Sequence, residues 1–538
     1  MSTATLTIPI VEAPAKPAIN PWFIAVTVTL ATFMELLDTS IANVSLPYIG
    51  GGLGRSYDEV TWILTTYLVA NAVVLPMTAW LSRVFGRKRY YMICVALFTL
   101  TSLLCGIAPT LGFMLSARVL QGIAGGGLAP VAQAILVDTF PAAKRASAFA
   151  LYTIVIVTAP AIGPVLGGWI TDSYSWRWIF FINIPIGLLA LFLSARVVHD
   201  PPSFAAEQAS IRHNGKLSVD GLGIALIALS SATLEVTLDR GQIEDWFGSP
   251  FICWALGIGV IGWIATVLWE LRVREPVIDF RLLKSGNFAI ASALFLVFGF
   301  GLFGSTTLIP QLLQSLYGYR AIDAGLVLGP GALVITMFAP ISAQLLQRKL
   351  VAPQYMLMLS LLIGFAAMWY YSGFNLATDY NHYALARAFQ GLGYGFFFVP
   401  VNMIAYSQLR PEQNNRASSL TNLFRNWGGS FGIAFITTAV DRRHEFHQTN
   451  LAAGVTATSP EFSQRLAAMT NYFVVKGFST PDALAHAQGW LYAQMQAQVS
   501  LLSFMDCFRV FAWVTLAAVP LLFLLKKAKA APPPPGAH

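Results

Sequence analysis

The sequence predicts an all-α integral membrane protein of 14 transmembrane helices, built as two six-helix bundles with two extra helices inserted between them. Three observations lead there. Of 538 residues, 56% are hydrophobic and only 11% charged, where soluble domains carry about 25% charged residues. Apolar runs of the roughly 20 residues needed to cross a bilayer recur 14 times. The second half of the chain also repeats the first: Ala117-Arg118-Val119-Leu120-Gln121-Gly122 returns as Ala386-Arg387-Ala388-Phe389-Gln390-Gly391, with the two arginines 269 residues apart.

The runs fall at about 22–46, 59–81, 90–108, 111–137, 147–171, 178–198, 218–237, 250–271, 288–313, 323–346, 354–374, 381–408, 418–440 and 508–526. Other pairs follow the same repeat. Arg145-Ala146-Ser147 enters the fifth run and Arg416-Ala417-Ser418 the thirteenth. Pro47 closes the first and Pro310 the ninth. Runs 1–6 therefore correspond to runs 9–14. The expected organisation is a tail at 1–21, one bundle at 22–198, a linker with two helices at 199–287, a second bundle at 288–526, and a tail at 527–538. The first run is too long for a signal-peptide core and lacks a cleavage site, so it is a span.

Positive charge sets the topology. With a cytoplasmic N-terminus, the inner segments hold 21 lysines and arginines and the short outer loops hold four: Arg55, Arg177, Arg240 and Arg320. Basic residues collect on the cytoplasmic side, so both termini are expected there. The same distribution accounts for the net charge of +8 without nucleic acid. The long segment 441–507 falls outside. It is polar, punctuated by Pro460 and Pro481, and helical in composition, which suits a surface excursion or a docking face equally. Pro532 to Pro535 end the chain in a polyproline-like tail. Cys94, Cys105, Cys253 and Cys507 have no metal spacing and read as small core residues.

Charges inside apolar runs mark the working parts, because each is costly unless it faces protein or water and finds a partner. Asp38 lies about two thirds of the way through the first run, with Glu35 three residues earlier at a neighbouring position of the same helical face. Desolvation favours the neutral acid and a nearby guanidinium the carboxylate. A group balanced between the two can load and release a proton as the protein changes shape. Arg118, followed by the Gly125-Gly126-Gly127 close-packing run, is the expected partner of Asp38. A static ion pair holding two helices is the plainer alternative. Asn43, Gln121, Arg387, Gln390, Asn422 and Arg425 are candidates to line a substrate cavity. Pro160, Gly163, Pro164, Gly167 and Gly168 make the fifth span a bendable, closely packed helix fit for a hinge. Arg83, Gly86, Arg87 and Lys88 form a tight basic turn suited to a cytoplasmic latch.

Taken together, these stretches resemble the major facilitator superfamily, in its 14-span drug:proton antiporter branch of the EmrB type. Leu37-Asp38-Thr39-Ser40-Ile41-Ala42-Asn43-Val44-Ser45-Leu46-Pro47 looks like that branch's first-helix signature, and Arg118 with Gln121-Gly122 like its fourth-helix motif. Gly163-Pro164 with Gly167-Gly168 resembles the antiporter motif, and Gly86-Arg87-Lys88 the superfamily's loop motif. One departure stands out: Ala79 and Arg83 occupy the loop positions where the family has glycine and aspartate, so no latch through that aspartate is expected.

The resemblance implies a major-facilitator fold. It also implies export of hydrophobic or amphiphilic compounds across a bacterial inner membrane in exchange for protons, with Asp38, Arg118 and Glu35 in proton coupling. Partners would be a periplasmic adaptor (membrane fusion protein) and an outer-membrane channel. No cofactor or metal is expected, and no catalytic constellation or phosphate-binding loop is present, which disfavours an enzyme and an ATP-driven pump. One proton moving down about 100 mV and about one pH unit releases roughly 3.7 kcal/mol, enough for a several-hundred-fold gradient of a neutral substrate. An exporter dedicated to one compound and a non-transporting membrane sensor are the alternatives.

Overall fold

The computed structural model describes residues 20–141, 144–200, 220–410, 413–456 and 459–526. Lys16, Arg212, Lys216, Lys527, Lys529, Pro532 to Pro535 and most of both predicted tails lie outside the described residues. The regular structure is helical throughout. In chain order the helices are α1 (Pro21–Leu53), α2 (Tyr57–Phe85), α3 (Arg87–Gly106), α4 (Leu111–Thr139), α5 (Arg145–Ser173), α6 (Trp178–Phe181), α7 (Asn183–Val197), α8 (Gly221–Arg240) and α9 (Pro250–Glu270). There follow α10 (Gly286–Tyr317), α11 (Ala321–Leu326), α12 (Gly329–Gln347), α13 (Pro353–Tyr371), α14 (Tyr380–Gly395), α15 (Phe398–Tyr406), α16 (Asn414–Ala452), α17 (Pro460–Val475) and α18 (Thr480–Ala517).

Helix limits follow local chemistry. Asn20 caps α1 by accepting from the Trp22 amide, with Pro21 in the first helical position, where its missing N–H costs nothing. Ser56 and Glu59 form a reciprocal capping box on α2. Gly86, at φ +92°, ends α2 and starts α3. A side chain there would be strained, so the tight basic turn depends on glycine. Ser459–Pro460 and Ser479–Pro481 open α17 and α18 in the same cap-then-proline manner as α1.

Thirteen helical stretches among the described residues are long and apolar enough to cross a membrane. The remaining predicted span, 418–440, is the interior of α16. That helix forms, but Asn422, Arg425, Asn426 and Ser430 hold its apolarity down. The polar segment 441–507 is largely helical, as its composition suggests. The α16 helix runs on to Ala452, α18 begins at Thr480 and continues as the last span, and α17 packs against α18. Four predicted spans are interrupted: the sixth at Ile182, the tenth at Val327–Leu328 ahead of Pro330, the twelfth at Phe396–Phe397, and the fourteenth at Ala518, beyond which a 3-10 helix runs from Val519 to Leu524.

Helices α1 to α7 pack on one another, as do α10 to α16 with α18, while α8 pairs with α9 and lies against α2 and α16, and Trp263 of α9 meets Trp427 of α16. A row of side-chain hydrogen bonds crosses directly between the bundles at the end carrying Arg83, Arg145 and Arg416, here called the basic end. Gln133 of α4 donates to Asn402 (2.6 Å) and accepts from Asn422 (2.5 Å). Ser418 donates to the Pro130 carbonyl and Ser419 to the Leu75 carbonyl. Gln347 donates to Ser147, and Asn414 to Asp138. Ser147 and Ser418 are repeat-related, so each bundle reaches across with the same serine.

Prolines inside the spans leave carbonyls without their usual donors, and neighbouring helices supply them. Pro164 cannot bond the Pro160 carbonyl, and Ser40 of α1 donates to it at 3.0 Å. Pro130 likewise frees the Gly126 carbonyl, which accepts from Thr78 of α2 at 3.1 Å. Each proline thereby fixes which neighbour its helix packs against.

Candidate functional site

The candidate site grows from α1. Its long apolar sequence makes it a span, and the face carrying Asp38 turns inward, leaving that residue 2% exposed. Arg118 of α4 is fully buried and donates to Asp38 Oδ2 at 2.7 Å. Taking two charges out of water costs several kcal/mol per ion, which attraction offsets only if the remaining valences are filled. Most are filled here, Arg118 Nη2 and Asn183 Oδ1 being the buried exceptions. Gln121, one turn along α4 from Arg118, donates to Asp38 Oδ1 (3.2 Å) and accepts from Arg118 (2.8 Å). Asn183, first residue of α7 after the break at Ile182, donates to the same Oδ1 at 2.6 Å. Ser102 of α3 accepts from both amides. Arg118 also donates to the Ile63 carbonyl and lies 5.0 Å from the Tyr67 ring centroid and 5.2 Å from that of Phe180. Helices α1, α3, α4 and α7 thus meet in one closed polar cluster inside an apolar bundle.

Glu35, a turn before Asp38, belongs to a different environment. It is buried and accepts from Asn71 of α2 at 3.3 Å. Arg425, from α16 in the other bundle, is buried and lies within Coulombic reach of both Glu35 and Tyr152 of α5, whose hydroxyl donates to the Ala129 carbonyl. The two acids, adjacent in sequence, therefore face a closed ion pair and the bundle interface respectively.

The repeat of the Asp38 cluster in the second bundle has no acid. Arg387 donates to Ser305 (3.0 Å), Thr306 (3.0 Å) and Gln390 (2.6 Å), and Gln390 donates to Ser305 and Tyr394. Two hydroxyls on α10 stand where α1 presents a carboxylate. A small cavity beside this cluster is lined by Phe298, Gly301, Gly364, Met368, Tyr394 and Phe511 among others.

The other candidates are dispersed. Asn43 is exposed on α1. Asn422 is buried in the Gln133 clasp rather than in a cavity wall. A Cβ on Gly163 would lie 2.2 Å from Ser40 Oγ, and one on Gly167 3.2 Å from Ile41, so both glycines let α5 close on α1. Gly168 faces Ile322, and Pro164 faces Gly325, both on α11 of the other bundle. The α5 helix remains continuous through both prolines. At the basic turn, Arg87 pairs with Asp138, which also accepts from Asn414 across the interface. Lys88 reaches Asp200 and the Ala195 carbonyl. These contacts tie α3 to α4 and, through Asp138, to α16, without an aspartate at position 83.

Asn183, Ser102, Gln133 and Asn402 escaped the sequence reading, as did Glu235 of α8, which is buried and bonded to Ser430. For Glu235 the signal was present: it is a charge inside a predicted span, as Asp38 is. No group of metal-binding side chains occurs among the described residues.

Residues 28–433 match the sequence profile of the Major Facilitator Superfamily. The chain is 33% identical over 507 residues to the Multidrug export protein EmrB of Escherichia coli strain K12, covering 93% of this chain and 94% of that one. It is 34% identical over 470 residues to the Fatty acid resistance protein FarB of Neisseria gonorrhoeae, covering 86% and 89%. The crystal structure of the human organic anion transporter MFSD10 (TETRAN) superposes with a TM-score of 0.58 at 11% identity, covering 94% of this chain and all of that one. That likeness is one of fold.

Proposed function

This chain belongs to the Major Facilitator Superfamily, among its EmrB-like multidrug exporters, and from that premise we propose that it exports hydrophobic or amphiphilic compounds in exchange for protons. The observation that supports proton exchange is the buried Asp38–Arg118 pair. A proton on Asp38 removes the countercharge of a fully buried guanidinium, and an unpaired buried charge is costly. Relief comes from moving α1 relative to α4. The α1 helix is held to α5 through Ser40 and Gly163, and α5 meets α11 of the other bundle through Pro164 and Gly168. Proton loading is thereby linked to how the bundles meet, and alternating access follows by rocking about a site between them.

The bundles occupy 22–198 and 288–526 in this reading, with 199–287 as the linker. The basic end is cytoplasmic, in the bacterial inner membrane with both termini inside, so the clasp at Gln133 seals the cytoplasmic side. Glu35, Arg425 and Asn43 face the route between the bundles. Arg425 offers a cation to anionic amphiphiles, which favours fatty acids as one substrate class beside neutral and cationic drugs. The far ends of α16 and α18, with α17, present exposed Tyr472, Val475, Phe478 and Tyr492 to a periplasmic adaptor, which joins the exporter to an outer-membrane channel.

The test is proton release from purified protein in detergent on adding a hydrophobic drug, wild type beside Asp38→Asn. Release that disappears in the variant is expected. Equal release from both transfers the assignment to Glu35, and none from wild type across a broad panel removes drug–proton exchange altogether.

A further inference from the structure

The inserted helix α8 carries two acids one helical turn apart that engage opposite bundles. Glu235 is 6% exposed, and Ser430 Oγ of α16 lies 2.9 and 3.1 Å from its two carboxylate oxygens. Asp239, four residues on, accepts from the Thr65 hydroxyl of α2. One helix thus touches the second bundle with one carboxylate and the first bundle with the next.

The surroundings contain little charge. Between Pro250 and Trp269, α9 has no ionisable side chain except Cys253 at its exposed start. On α8 itself, Arg240 lies near Asp239 but donates to Glu244 and Thr61. From α16, Arg425 acts on Glu35 and Tyr152 and not on Glu235, and Asp441 accepts from Gln242 beyond the end of α8. The α2 helix presents Thr61 and Thr65, with Glu59 held in its cap by Ser56 and Arg55. Glu235 therefore has a hydroxyl partner and Asp239 as a neighbour, and no cation is bonded to it among the described residues. Asp239 stands one turn nearer the loop after α8, on the way from water at the far end.

We propose that Glu235, with Asp239 as its entry step, is a second proton-binding site, whose occupancy responds to the relative position of the two bundles. A proton from water at the far end reaches Asp239 and passes to a Glu235 oxygen, neutralising it. When the bundles rock, α8 cannot follow both Ser430 and Thr65. Loss of either hydroxyl withdraws a hydrogen bond from one carboxylate and changes its hold on the proton. The inserted helices then act as a strap that senses rocking through hydrogen bonds and reports it as proton uptake or release. The inference extends the proton-exchange reading above and rests on it for its role in transport, though the site itself stands without any drug.

The test uses full-length purified protein in lipid, as wild type, Glu235→Gln, Asp239→Asn, Ser430→Ala and Asp38→Asn. Infrared difference spectra between acid and alkaline buffer, without drug, report protonated carboxyl groups. A titrating carboxyl band that is lost in Glu235→Gln, moved in Ser430→Ala and retained in Asp38→Asn is expected. Spectra unchanged by Glu235→Gln overturn the site. Drug-induced proton release then gives the role: if both sites exchange, release per drug falls to roughly half in Glu235→Gln. Release equal to wild type overturns participation in transport. Absence of release from wild type with the Glu235 band intact places the failure in the exchange reading instead. Ser430→Ala keeps both acids, so a folding defect in Glu235→Gln does not remove the test.

Discussion

Arg118 and Asp38 hold one another at 2.7 Å between α4 and α1, with the guanidinium wholly buried and the carboxylate 2% exposed. The two partners are not equivalent on removal. In Asp38→Asn the guanidinium keeps its charge and has no way to lose it, and breaking a buried pair costs about 3–5 kcal/mol. In Arg118→Leu the remaining carboxyl can neutralise by taking a proton. Thermal melting in detergent is therefore expected to rank wild type first, Arg118→Leu next and Asp38→Asn last, with the double variant above Asp38→Asn. A double variant no more stable than Asp38→Asn would show that the loss arises elsewhere than in the stranded charge.

Gln133 ties the basic end by donating to Asn402 and accepting from Asn422. Each such bond contributes about 1 kcal/mol net, and stranding a buried partner costs more. Gln133→Leu is thus expected to favour opening at that end by roughly 2 kcal/mol, which is more than tenfold in population. A cysteine at Thr421, buried beside the clasp at 1% exposure, reads it out. Its alkylation by an impermeant maleimide should speed up at least tenfold in the Gln133→Leu background. An unchanged rate would mean that the helices, not the amides, keep the bundles together.

How much of this was legible in the sequence depended on charge. Asp38, Arg118 and Arg387 stood out because a charge in an apolar run is rare and demands a partner. Asn183 and Ser102 did not. A lone hydroxyl or amide in a span most often bonds back to its own helix, as Thr27 and Thr29 do to carbonyls four residues earlier. Nothing in the one-dimensional pattern separates that case from one reaching another helix. The helicity of the first part of α18 was legible, but not its continuity with the last span. Between Thr480 and Gln498 it runs beyond the apolar layer, and its helicity shows in caps and composition rather than in hydrophobicity. Partners such as Glu235 and Ser430, 195 residues apart, were out of reach of local reading altogether.

Gly163 is expected to tolerate no side chain. A Cβ there would lie 2.2 Å from Ser40 Oγ and 2.4 Å from Ser40 Cβ, so Ser40→Ala does not make room for it and also strips the donor from the Pro160 carbonyl. Overpacking of this kind costs about 1–3 kcal/mol. Gly112, with nothing within 4 Å of its Cβ position, is the control. Comparing Gly163→Ala with Gly112→Ala by melting and drug efflux in cells should show loss in the first alone. Equal behaviour would argue that α1 and α5 separate easily, and would weaken the proposed path from Asp38 to the bundle interface.

The acid-free repeat at Arg387 allows the converse experiment. Its guanidinium is buried like that of Arg118, but Ser305 and Thr306 give it hydroxyls where the first bundle gives a carboxylate. Ser305 sits 3.0 Å from Arg387 and 2.9 Å from Gln390, so an acid there would meet a cation and an amide in the same order as Asp38 does. Hydrogen bonds to a charged group contribute about 1.5–3 kcal/mol. Ser305→Ala is expected to destabilise by that amount, and Ser305→Asp to raise the melting temperature above wild type by compensating a charge now held by dipoles alone. A lower melting temperature in Ser305→Asp would mean that the hydroxyls already satisfy Arg387, and that the second bundle was built to do without an acid rather than left short of one.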